Sequence, residues 1–596
     1  MSAAVQQTGG ESAVPDFQSF SISILYVLRI LIPLLSIYVL ARAFHSIKAG
    51  RRREEPVIVL QNTVTKETVP VLYWENSIGR SRSCDIVLAD ATASRDHAVL
   101  MRRESGWLVT DTGSKAGTRV NGRMANKPAS VAPGDVITMG STSLMLKRTS
   151  EAKLPQQKRR VRHAASPFGL LLTVSVIHFF LLLQACFGGG DFSLLPVLPF
   201  VAVQVMQWSL YGYSIKKLDH VSFELETIAC LLAGTGIMLL SGMRGKLDEG
   251  QEAPGMWAVV DPTMSTVYMQ LLTMLMGIVF FCVLIWFMGD LDRVTKFRPW
   301  IAGAAILLFV INLVFATAVH GAGNWISIGP VSVQPSEFIK VAFVFVGAAT
   351  LDRLQTKQNL TAFIAFTGVC LVSLFLMKDF GTACIFFVTF LFISFMRSGS
   401  IRTIVLAVAA AVFGAFLILK FRPYVLSRFQ GWRHVWEYVN ESQGYQQVRV
   451  LSYGASGGLF GMGIGNGKLG GGRSGAPIFA ADSDLVFGML WEELGLLMAV
   501  VVVCAIALLV FCARSDATRS RSTFYSIAAC SAAGLLLFQA CLNVFGVVDV
   551  LPLTGVTLPF ISAGGSSMVS VWGMLAFIKA GDERTYAARR PKRKRR

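Results

Sequence analysis

The stretch QPSEFIKVAFVFVGAATL, residues 334–351, places a carboxylate and an ammonium group at the start of an apolar run. Glu337 and Lys340 stand at positions i and i+3, so on a helix their side chains are neighbours. An ionisable side chain inside a bilayer costs roughly 2.5 to 3.5 kcal/mol even on lenient insertion scales. The stretch therefore predicts a helix that enters a membrane and carries a paired, functional charge.

The whole chain has the composition of a protein that crosses a membrane many times. Of its 596 residues, 53% are hydrophobic and 15% are charged, and the mean hydropathy is +0.55. This is too apolar for a soluble protein of that length. Apolar runs of about 20 residues predict thirteen spans. They lie near 20–41, 168–187, 193–213, 225–242, 264–289, 298–319, 337–355, 359–377, 380–397, 402–421, 486–511, 522–547 and 558–580.

Lys and Arg collect on one side of the predicted membrane. Clusters such as 51–53, 158–160 and 589–596 fall on the same face when successive spans alternate. Because positive charge marks cytoplasmic loops, that face is expected to be cytoplasmic, and the C-terminus with it. The first span follows an acidic segment without a basic n-region. It is therefore expected to be an uncleaved anchor with its N-terminus outside.

The net charge and the cysteines bear on two further possibilities, nucleic-acid binding and disulfide or metal sites. The charge is +19, but the cations lie at predicted cytoplasmic span ends, where anionic lipid attracts each by about 1 kcal/mol. Nucleic acid is therefore not predicted as a partner. The ten cysteines form no CxxC pair and lie mainly inside apolar runs. Neither a disulfide nor a metal site is predicted from them.

Residues 57–147 differ in character from the apolar runs around them. Short alternating runs rich in β-forming residues are separated by Gly, Asp, Asn and Ser, which predicts a small soluble all-β domain. Four motifs punctuate it, and together they resemble the forkhead-associated (FHA) domain. The motifs are Ile78-Gly79-Arg80, Asp85-Ile86-Val87-Leu88, Ser94-Arg95-Asp96-His97 and Gly117-Thr118-Arg119-Val120-Asn121-Gly122.

Three residues of this domain suit a phosphate. Arg80, the Ser94 hydroxyl and Arg95 are loop-borne, and charge-assisted bonds from Arg forks are the strong kind. The resemblance implies that these residues bind phosphothreonine on a cytoplasmic partner protein. One position departs from the family, because Ala116 stands where an Asn anchors the peptide backbone. A docking module that keeps only the FHA fold is the alternative.

The membrane part carries a second set of motifs. They are Gly323-Asn324-Trp325-Ile326, the run 334–340, Asp379-Phe380-Gly381-Thr382, the Gly-rich run 456–467, the run 482–487 with Glu492-Glu493-Leu494-Gly495, and the run 558–567. Over about residues 298–580 the chain resembles the SEDS family of peptidoglycan polymerases, the FtsW, RodA and SpoVE type. The resemblance implies a polytopic α-helical membrane protein of SEDS fold, with an FHA sandwich inserted after the first span. Two spans near 168–242 are additional to the family's usual ten.

The expected domain organisation follows from these two resemblances. It comprises a tail and anchor span at 1–50, a cytoplasmic FHA domain at 51–150, a basic linker at 151–167, additional and first SEDS spans at 168–297, a polymerase core at 298–580 with an outer loop at 422–485, and a basic cytoplasmic tail at 581–596.

Polar groups gather at the outer face of this topology. Asp379, Asp484 and the loop 422–485 lie there, and a loop of that length is usually functional. Its arginines suit a substrate with a diphosphate leaving group and a hydroxyl nucleophile. The resemblance names lipid II, the disaccharide peptide carried on undecaprenyl diphosphate. A carboxylate takes the proton of the attacking sugar hydroxyl, and cations hold the departing diphosphate.

Residue roles are carried over position by position. The family's catalytic Asp maps onto Asp484, assigned as general base, and its buried cavity pair onto Glu337 and Lys340. Asp379 is assigned to support of the cavity or of a divalent cation, Mg²⁺ or Mn²⁺, although the sequence requires no cofactor. The other predicted substrate-binding residues are Trp325, Arg428 and Arg449.

These assignments have simpler alternatives. Asp484 also suits the N-cap of a span starting near Leu485, and Glu337 also suits a first-turn acid that complements the helix dipole. Two family cations are replaced here by Asn324 and Ser332, and Arg449 is expected to restore one charge.

Three function classes stay open on the sequence. The first is a lipid II polymerase in the bacterial cytoplasmic membrane, serving division or elongation beside a class B penicillin-binding protein, a transpeptidase. A lipid II flippase would need polar residues across the full membrane depth. A catalytically idle scaffold that recruits phosphorylated partners is the third.

Overall fold

The structure is a computed structural model of the chain. It describes residues 17–49, 58–82, 84–103, 106–125, 128–148, 166–188, 192–217, 222–243, 264–319, 322–328, 331–350, 357–398, 431–441, 444–471, 478–517, 520 and 522–582, with isolated positions between 401 and 412.

A β sandwich occupies residues 58–147. Its strands are β1 (Ile58–Asn62), β2 (Thr68–Val71), β3 (Glu75–Gly79), β4 (Ile86–Val87), β5 (Ala98–Arg103), β6 (Gly106–Asp111), β7 (Thr118–Val120), β8 (Arg123–Met124), β9 (Ala129–Val131), β10 (Val136–Met139) and β11 (Thr142–Lys147). One sheet has the order β2-β1-β11-β10-β7-β8 and the other β4-β3-β5-β6-β9. Alternate residues such as Leu60, Leu100 and Ile137 point inward and form the core between the sheets.

The rest of the described chain is almost entirely helical. The helices are α1 (Phe17–Ala49), α2 (Pro167–Cys186), α3 (Val197–Lys217), α4 (Glu224–Leu240), α5 (Ser265–Met288), α6 (Leu291–Phe315), α7 (Pro335–Thr350), α8 (Lys357–Leu376), α9 (Phe380–Ser398), α10 (Tyr445–Gly457), α11 (Val486–Ala517), α12 (Thr523–Val547) and α13 (Gly565–Gly581). Three short strands lie between α6 and α7, namely β12 (Thr317–Val319), β13 (Ala322–Ile328) and β14 (Val331–Val333).

The predicted spans agree closely with these helices. A described helix overlaps twelve of the thirteen predicted runs, and the run at 402–421 is described only at isolated positions. Six described helices are long and apolar enough to cross a membrane, namely α1, α2, α5, α6, α11 and α12. The shorter helices α4 and α13 are buried along their whole length, so they form the centre of the bundle. The prediction of a helical membrane protein with an all-β domain after the first helix is confirmed.

One span boundary was predicted wrongly, and one predicted span contains an interruption that was not predicted. The run at 558–580 is helical only from Gly565, because residues 558–564 form turns that bond to the segment before α11. Within α11, Gly495 has φ 85° and ψ 162°, which interrupts the helix one third of the way along. Apolar composition reports burial, and it does not distinguish a buried turn from a helix.

The β sandwich and the 482–484 segment lie at opposite ends of α12. Thr523, the first residue of α12, donates its backbone N–H to Glu75 of the sandwich. Asn543, near the other end, donates to the backbone carbonyl of Asp484. The two polar regions predicted from sequence are thus separated by the length of a spanning helix.

Candidate functional site

Asp484 ends a tight turn that leads into α11. This Asp484 turn, residues 478–485, is closed by Leu485, whose N–H donates to the carbonyl of Ala480, a residue at φ 60°. Helix α11 begins at Val486, so Leu485 takes the N-cap position and Asp484 precedes it. The helix bounds therefore do not favour the N-cap alternative for Asp484.

Three consecutive backbone carbonyls hold the Asp484 turn in place. Asp482 accepts from the N–H of Ala563 at 2.8 Å, and Ser483 accepts from the hydroxyl of Ser562 at 2.7 Å. Asp484 accepts from Asn543 Nδ2 at 2.8 Å. The main chain is thus fixed from both α12 and the 558–564 loop, while the Asp484 side chain stays partly exposed. Such fixed placement of a half-open carboxylate is what a general base needs.

A second carboxyl lies in the same turn. Burial raises the pKa of the Asp482 carboxyl above its usual value, against hydrogen bonds around Ser483 that lower it. Asp484 is bordered by Gly555, where an added Cβ would lie 3.4 Å from Asp484 Oδ2 and where φ is +68°. A side chain at Gly555 would therefore be strained by the positive φ and would lie in van der Waals contact with Asp484.

The predicted pair on α7 is present and fully enclosed. Lys340 Nζ lies 2.8 Å from Glu337 Oε1 and 3.0 Å from Gln539 Oε1. Ser570 donates to Glu337 Oε2 at 2.6 Å. Glu337 is 4% exposed and Lys340 is 1% exposed, so both lie in the interior of the bundle in this structure, and their role at the substrate cavity stays a prediction. The pairing predicted from their spacing is confirmed.

Asp379 caps the N-terminus of α9 and joins it by hydrogen bonds to two other segments. Its Oδ1 accepts from the N–H of Thr382 at 3.1 Å in the first turn of α9. Its Oδ2 accepts from Asn324 Nδ2 at 3.0 Å and from Gln334 Nε2 at 3.3 Å. Asn324, which stands where the family carries a cation, thus joins β13 to α9. Trp325 follows it on β13 and is partly exposed.

The divalent cation that the sequence left open at Asp379 stays a prediction. Both oxygens of this carboxylate accept N–H donors in the structure. Within the described ranges there is also no cluster of three or more His, Cys, Asp or Glu side chains placed to hold a metal ion.

Glu492 and Glu493 organise the Gly-rich segment, residues 457–471. The Glu492 carboxylate accepts from the N–H groups of Lys468 and Leu469 at 2.7 and 3.0 Å, and Glu493 accepts from Gly465. The segment runs so close to α11 that a Cβ at Gly461 would lie 2.2 Å from the Glu493 carbonyl oxygen. These glycines allow the main chain of the segment to approach that of α11, and the two glutamates hold it there.

The first helix also reaches the Gly-rich segment, which the sequence did not indicate. Arg29 on α1 donates to the carbonyl of Gly461 at 3.3 Å, and its guanidinium lies against Gly463. An arginine inside an apolar helix was the available signal, since such a charge is expensive without a partner. Helix α1 therefore braces the polar end of the bundle in addition to anchoring the β sandwich.

Replacing Arg29 with Gln is expected to lower the free energy of unfolding by about 1 to 2 kcal/mol. This is near the lower end of the range for hydrogen bonds to charged groups, because Arg29 is only half-buried. Thermal unfolding in detergent measures the change as a lower Tm. Arg42→Gln is the matched control, because Arg42 lies on the same helix and is exposed. Equal Tm values for the two variants would contradict the brace.

Arg449 lies on α10, which is joined to the Asp484 turn. Gln446, on the same helix, donates to the carbonyl of Phe479 at 3.2 Å. The Arg449 guanidinium stacks 3.5 Å from the centre of the Tyr445 ring and is partly exposed. Arg449 is thus a cation on a helix that is bonded to the turn, and its role in binding substrate stays a prediction. Arg428 lies outside the described residues.

The three predicted phosphate-binding residues lie together on the β sandwich. The N–H of Arg80 donates to the carbonyl of Ser94 at 3.0 Å, and the N–H of Lys115 donates to Ser94 Oγ at 3.0 Å. Arg80 and Arg95 are exposed beside this hydroxyl. His97 fixes the loop from below, because its Nδ1 accepts from the N–H of Ser94 at 3.0 Å. Two exposed arginines thus lie on the same loops as the Ser94 hydroxyl.

The residues that sequence reasoning missed are amides and hydroxyls within apolar runs. Gln539 and Asn543 stand four residues apart, so they share one face of α12, and that spacing was the available signal. Ser562 and Ser570 were inside a recognised run without an assigned role.

Comparisons with known proteins agree with this geometry. Residues 257–584 match the family model described as cell cycle protein, FTSW_RODA_SPOVE, and residues 76–140 match the FHA domain model. The family region starts one helix earlier than the 298 predicted from sequence, and it includes α5. A probable peptidoglycan glycosyltransferase FtsW of Buchnera aphidicola is 30% identical over 44% of this chain and 67% of its own length.

Two further proteins are similar to this chain. The peptidoglycan glycosyltransferase RodA of Mycobacterium tuberculosis is 26% identical over 55% of this chain and 71% of its own length. A solved structure, "Structural coordination of polymerization and crosslinking by a peptidoglycan synthase complex", is 23% identical with a TM-score of 0.48, and the match covers 60% of this chain and 96% of that one. The alignments to the first curated relatives span about two thirds of those relatives' own length.

The family model covers more than half of the chain, and its relatives carry the name of an enzyme class. The expected enzyme class, peptidoglycan glycosyltransferase, is thus confirmed at the level of the family. The chain belongs to the FtsW/RodA/SpoVE family and carries an FHA domain ahead of the family region.

Proposed function

We propose that the chain polymerises lipid II into glycan strands, with Asp484 as general base. The observation that carries the proposal is the Asp484 turn. Its main chain is held at three successive carbonyls by Asn543, Ser562 and Ala563, while the Asp484 carboxylate remains partly exposed. A base that must meet a large lipid-linked substrate needs a fixed backbone and an open side chain.

The chemistry balances with a single base. A sugar hydroxyl of one chain attacks the anomeric carbon of another, and the new carbon–oxygen bond replaces the bond to undecaprenyl diphosphate. The hydroxyl proton passes to the Asp484 carboxylate, and the leaving diphosphate takes up the negative charge. Cations on the same side as the Asp484 turn stabilise that charge. Among the described residues these include Lys378, Arg433, Arg449 and Lys468.

The reaction has a direct assay. Purified protein is given fluorescent lipid II, and the products are separated by gel. Long glycan strands are the expected product, whereas a flippase moves lipid II without polymerising it and a scaffold leaves it unchanged. If correctly folded protein, at a concentration sufficient for the assay, makes no polymer, the proposal is contradicted.

The same proposal implies which side of the membrane each part of the chain faces and which proteins it works with. The Asp484 turn faces the outside of the bacterial cytoplasmic membrane, and the FHA domain faces the cytoplasm, because lipid II is polymerised outside and the two lie at opposite ends of α12. A class B penicillin-binding protein then crosslinks the strands. The FHA domain recruits a threonine-phosphorylated cytoplasmic protein.

Arg80→Ala is expected to weaken binding of a phosphothreonine peptide at least tenfold, because it removes a charge-assisted contact to a dianion. Isothermal calorimetry with phosphorylated and unphosphorylated versions of one peptide measures the change. Since Ala116 replaces a peptide-anchoring Asn, wild-type affinity is expected to be modest and selectivity for flanking residues loose.

Arg123→Ala is the control for this experiment, because Arg123 is an exposed arginine on β8 of the same sandwich. It should bind the peptide like wild type. A wild-type domain without preference for the phosphorylated peptide would instead favour the purely structural docking module.

A further inference from the structure

A buried ionic junction joins the FHA domain to the helix bundle. Glu75, the first residue of β3, is 3% exposed, and its Oε1 lies 3.3 Å from Arg103 Nη1. Arg103 also reaches the bundle, with Nε 3.5 Å from Asp292 Oδ1 at the start of α6. A domain that serves only as a tethered recruiter needs no buried carboxylate against the membrane part, because burying a charge is costly.

Glu75 supplies the acceptor that the N-terminus of α12 needs. Ser522, the N-cap residue, makes no cap hydrogen bond to its own helix, and its hydroxyl donates to Glu75 Oε1 at 3.2 Å. The first helical N–H, that of Thr523, donates to Glu75 Oε2 at 3.3 Å. A carboxylate is stabilising at a helix N-terminus, where backbone N–H groups point outward.

Aromatic packing strengthens the same junction. The rings of Trp74 and Tyr525 meet edge to face, with centroids 6.0 Å apart. The Tyr525 hydroxyl donates to the carbonyl of Met288 at the end of α5, at 2.6 Å. The first turn of α12 therefore contacts both the FHA domain and the end of α5.

The other end of α12 holds the Asp484 turn. Asn543 donates to the Asp484 carbonyl, and Gln539 accepts from Lys340 and donates to the carbonyl of Thr557. Both amides are at most 2% exposed. Thr523 and Asn543 are about 30 Å apart along the helix at 1.5 Å per residue. Since most of α12 is buried in the bundle, it behaves as one rigid element between the two ends.

We propose that Glu75 of the FHA domain is a positioning residue for Asp484: it fixes the N-terminus of α12, and α12 fixes the backbone of the Asp484 turn. The inference rests on the proposed function of Asp484. It makes the cytoplasmic domain a structural part of the polymerase, in addition to a reader of phosphothreonine.

The two roles of the FHA domain are separated along one strand. Strand β3 begins with Glu75 at the junction and ends at Gly79, and Arg80 follows it. Five residues at about 3.3 Å each put the phosphate-binding loops some 15 Å beyond the junction. A phosphopeptide can thus bind the loops without touching Glu75, and substitutions can test each role alone.

The experiment compares Glu75→Ala and Glu75→Gln with Glu67→Ala in the full-length protein. Glu67 is an exposed carboxylate of the same domain, so its loss controls for charge. Hydrogen–deuterium exchange of peptides covering 482–490 and 539–547 reports the position of the turn without reference to activity. Polymerisation kinetics on fluorescent lipid II report kcat and KM separately. Phosphopeptide binding checks that the FHA domain stays folded.

Glu75→Ala is expected to speed exchange at both peptides and to lower kcat at least about threefold with KM unchanged, since it removes the acceptor at the helix N-terminus. Ser522 and Thr523 donate to different oxygens of Glu75, and Glu75→Gln keeps one of these two acceptors, so it should fall between Ala and wild type. Glu67→Ala should match wild type.

Faster exchange confined to residues 522–527 with unchanged kcat would overturn the inference, since Glu75 would then only fasten the domain. If the wild-type protein makes no polymer, the proposed function fails, while the exchange at 482–490 still decides whether Glu75 positions the turn.

Discussion

Asp484→Asn is expected to abolish glycan polymerisation and to leave the protein folded. The asparagine side chain has nearly the same size and cannot take up a proton at neutral pH, so it removes the base and keeps the shape. The backbone carbonyl of residue 484 still accepts from Asn543, because that bond does not involve the side chain. Gel assays on fluorescent lipid II measure the loss.

The control is Glu437→Gln, which removes an exposed carboxylate from the described part of the same loop. It should polymerise like wild type, which excludes a general effect of charge on that side. Thermal unfolding should give similar Tm values for wild type and both variants. Near-normal polymer from Asp484→Asn would remove Asp484 from the role of base, and Asp482 in the same turn would become the next candidate to substitute.

The fold was largely predictable because its signals are local. Spans follow from apolar runs, and the β domain follows from alternating residues between turn formers, so twelve helices and the sandwich were found in place. The error at 558–564 has a physical cause. That stretch is apolar because it is buried against the Asp484 turn, and Phe560 is at φ 66°, which no helix permits.

The motifs of the candidate site could be recognised from the sequence, but the residues that hold those motifs in place could not. Arg80, Ser94 and Asp484 sit in recognisable local patterns, and Glu337 with Lys340 shows its pairing through helical spacing. The partners that hold them are distant in sequence: Gln539 lies 199 residues from Lys340, and Asn543 lies 59 residues from Asp484. Glu75 lies 448 residues from Thr523. A single sequence carries no signal for such pairs beyond the presence of a polar group in an apolar run.

The buried pair on α7 provides the second large effect. Removing either Glu337 or Lys340 alone is expected to destabilise the protein by about 3 to 5 kcal/mol, because it strands the other charge in the interior. The surrounding groups cannot compensate fully. Ser570 already donates to Glu337 Oε2, and the Nε2 of Gln539 is already committed to Thr557.

A double-mutant cycle separates the pair from its two members. The single variants are Glu337→Gln and Lys340→Met, and the double variant that carries both substitutions closes the cycle. A charge-swapped variant, Glu337→Lys with Lys340→Glu, is measured beside it. The swap should recover part of the lost stability, because it restores opposite charges three residues apart. Recovery should be incomplete, since Gln539 Oε1 then faces a carboxylate instead of the ammonium it accepts from now.

Burial is the reason that this effect should be large, and the chain offers a matched test of that reason. His434 and Glu437 have the same i, i+3 spacing and lie 3.1 Å apart, but their side chains are 60% and 70% exposed. Exposed pairs contribute about 0 to 1 kcal/mol, so Glu437→Gln should barely change Tm. Thermal unfolding in detergent gives all the required values. If the losses at Glu337 and Lys340 simply add in the cycle, or match the loss at Glu437, the two do not act as a buried pair, and α7 must be held in the bundle by its apolar contacts alone.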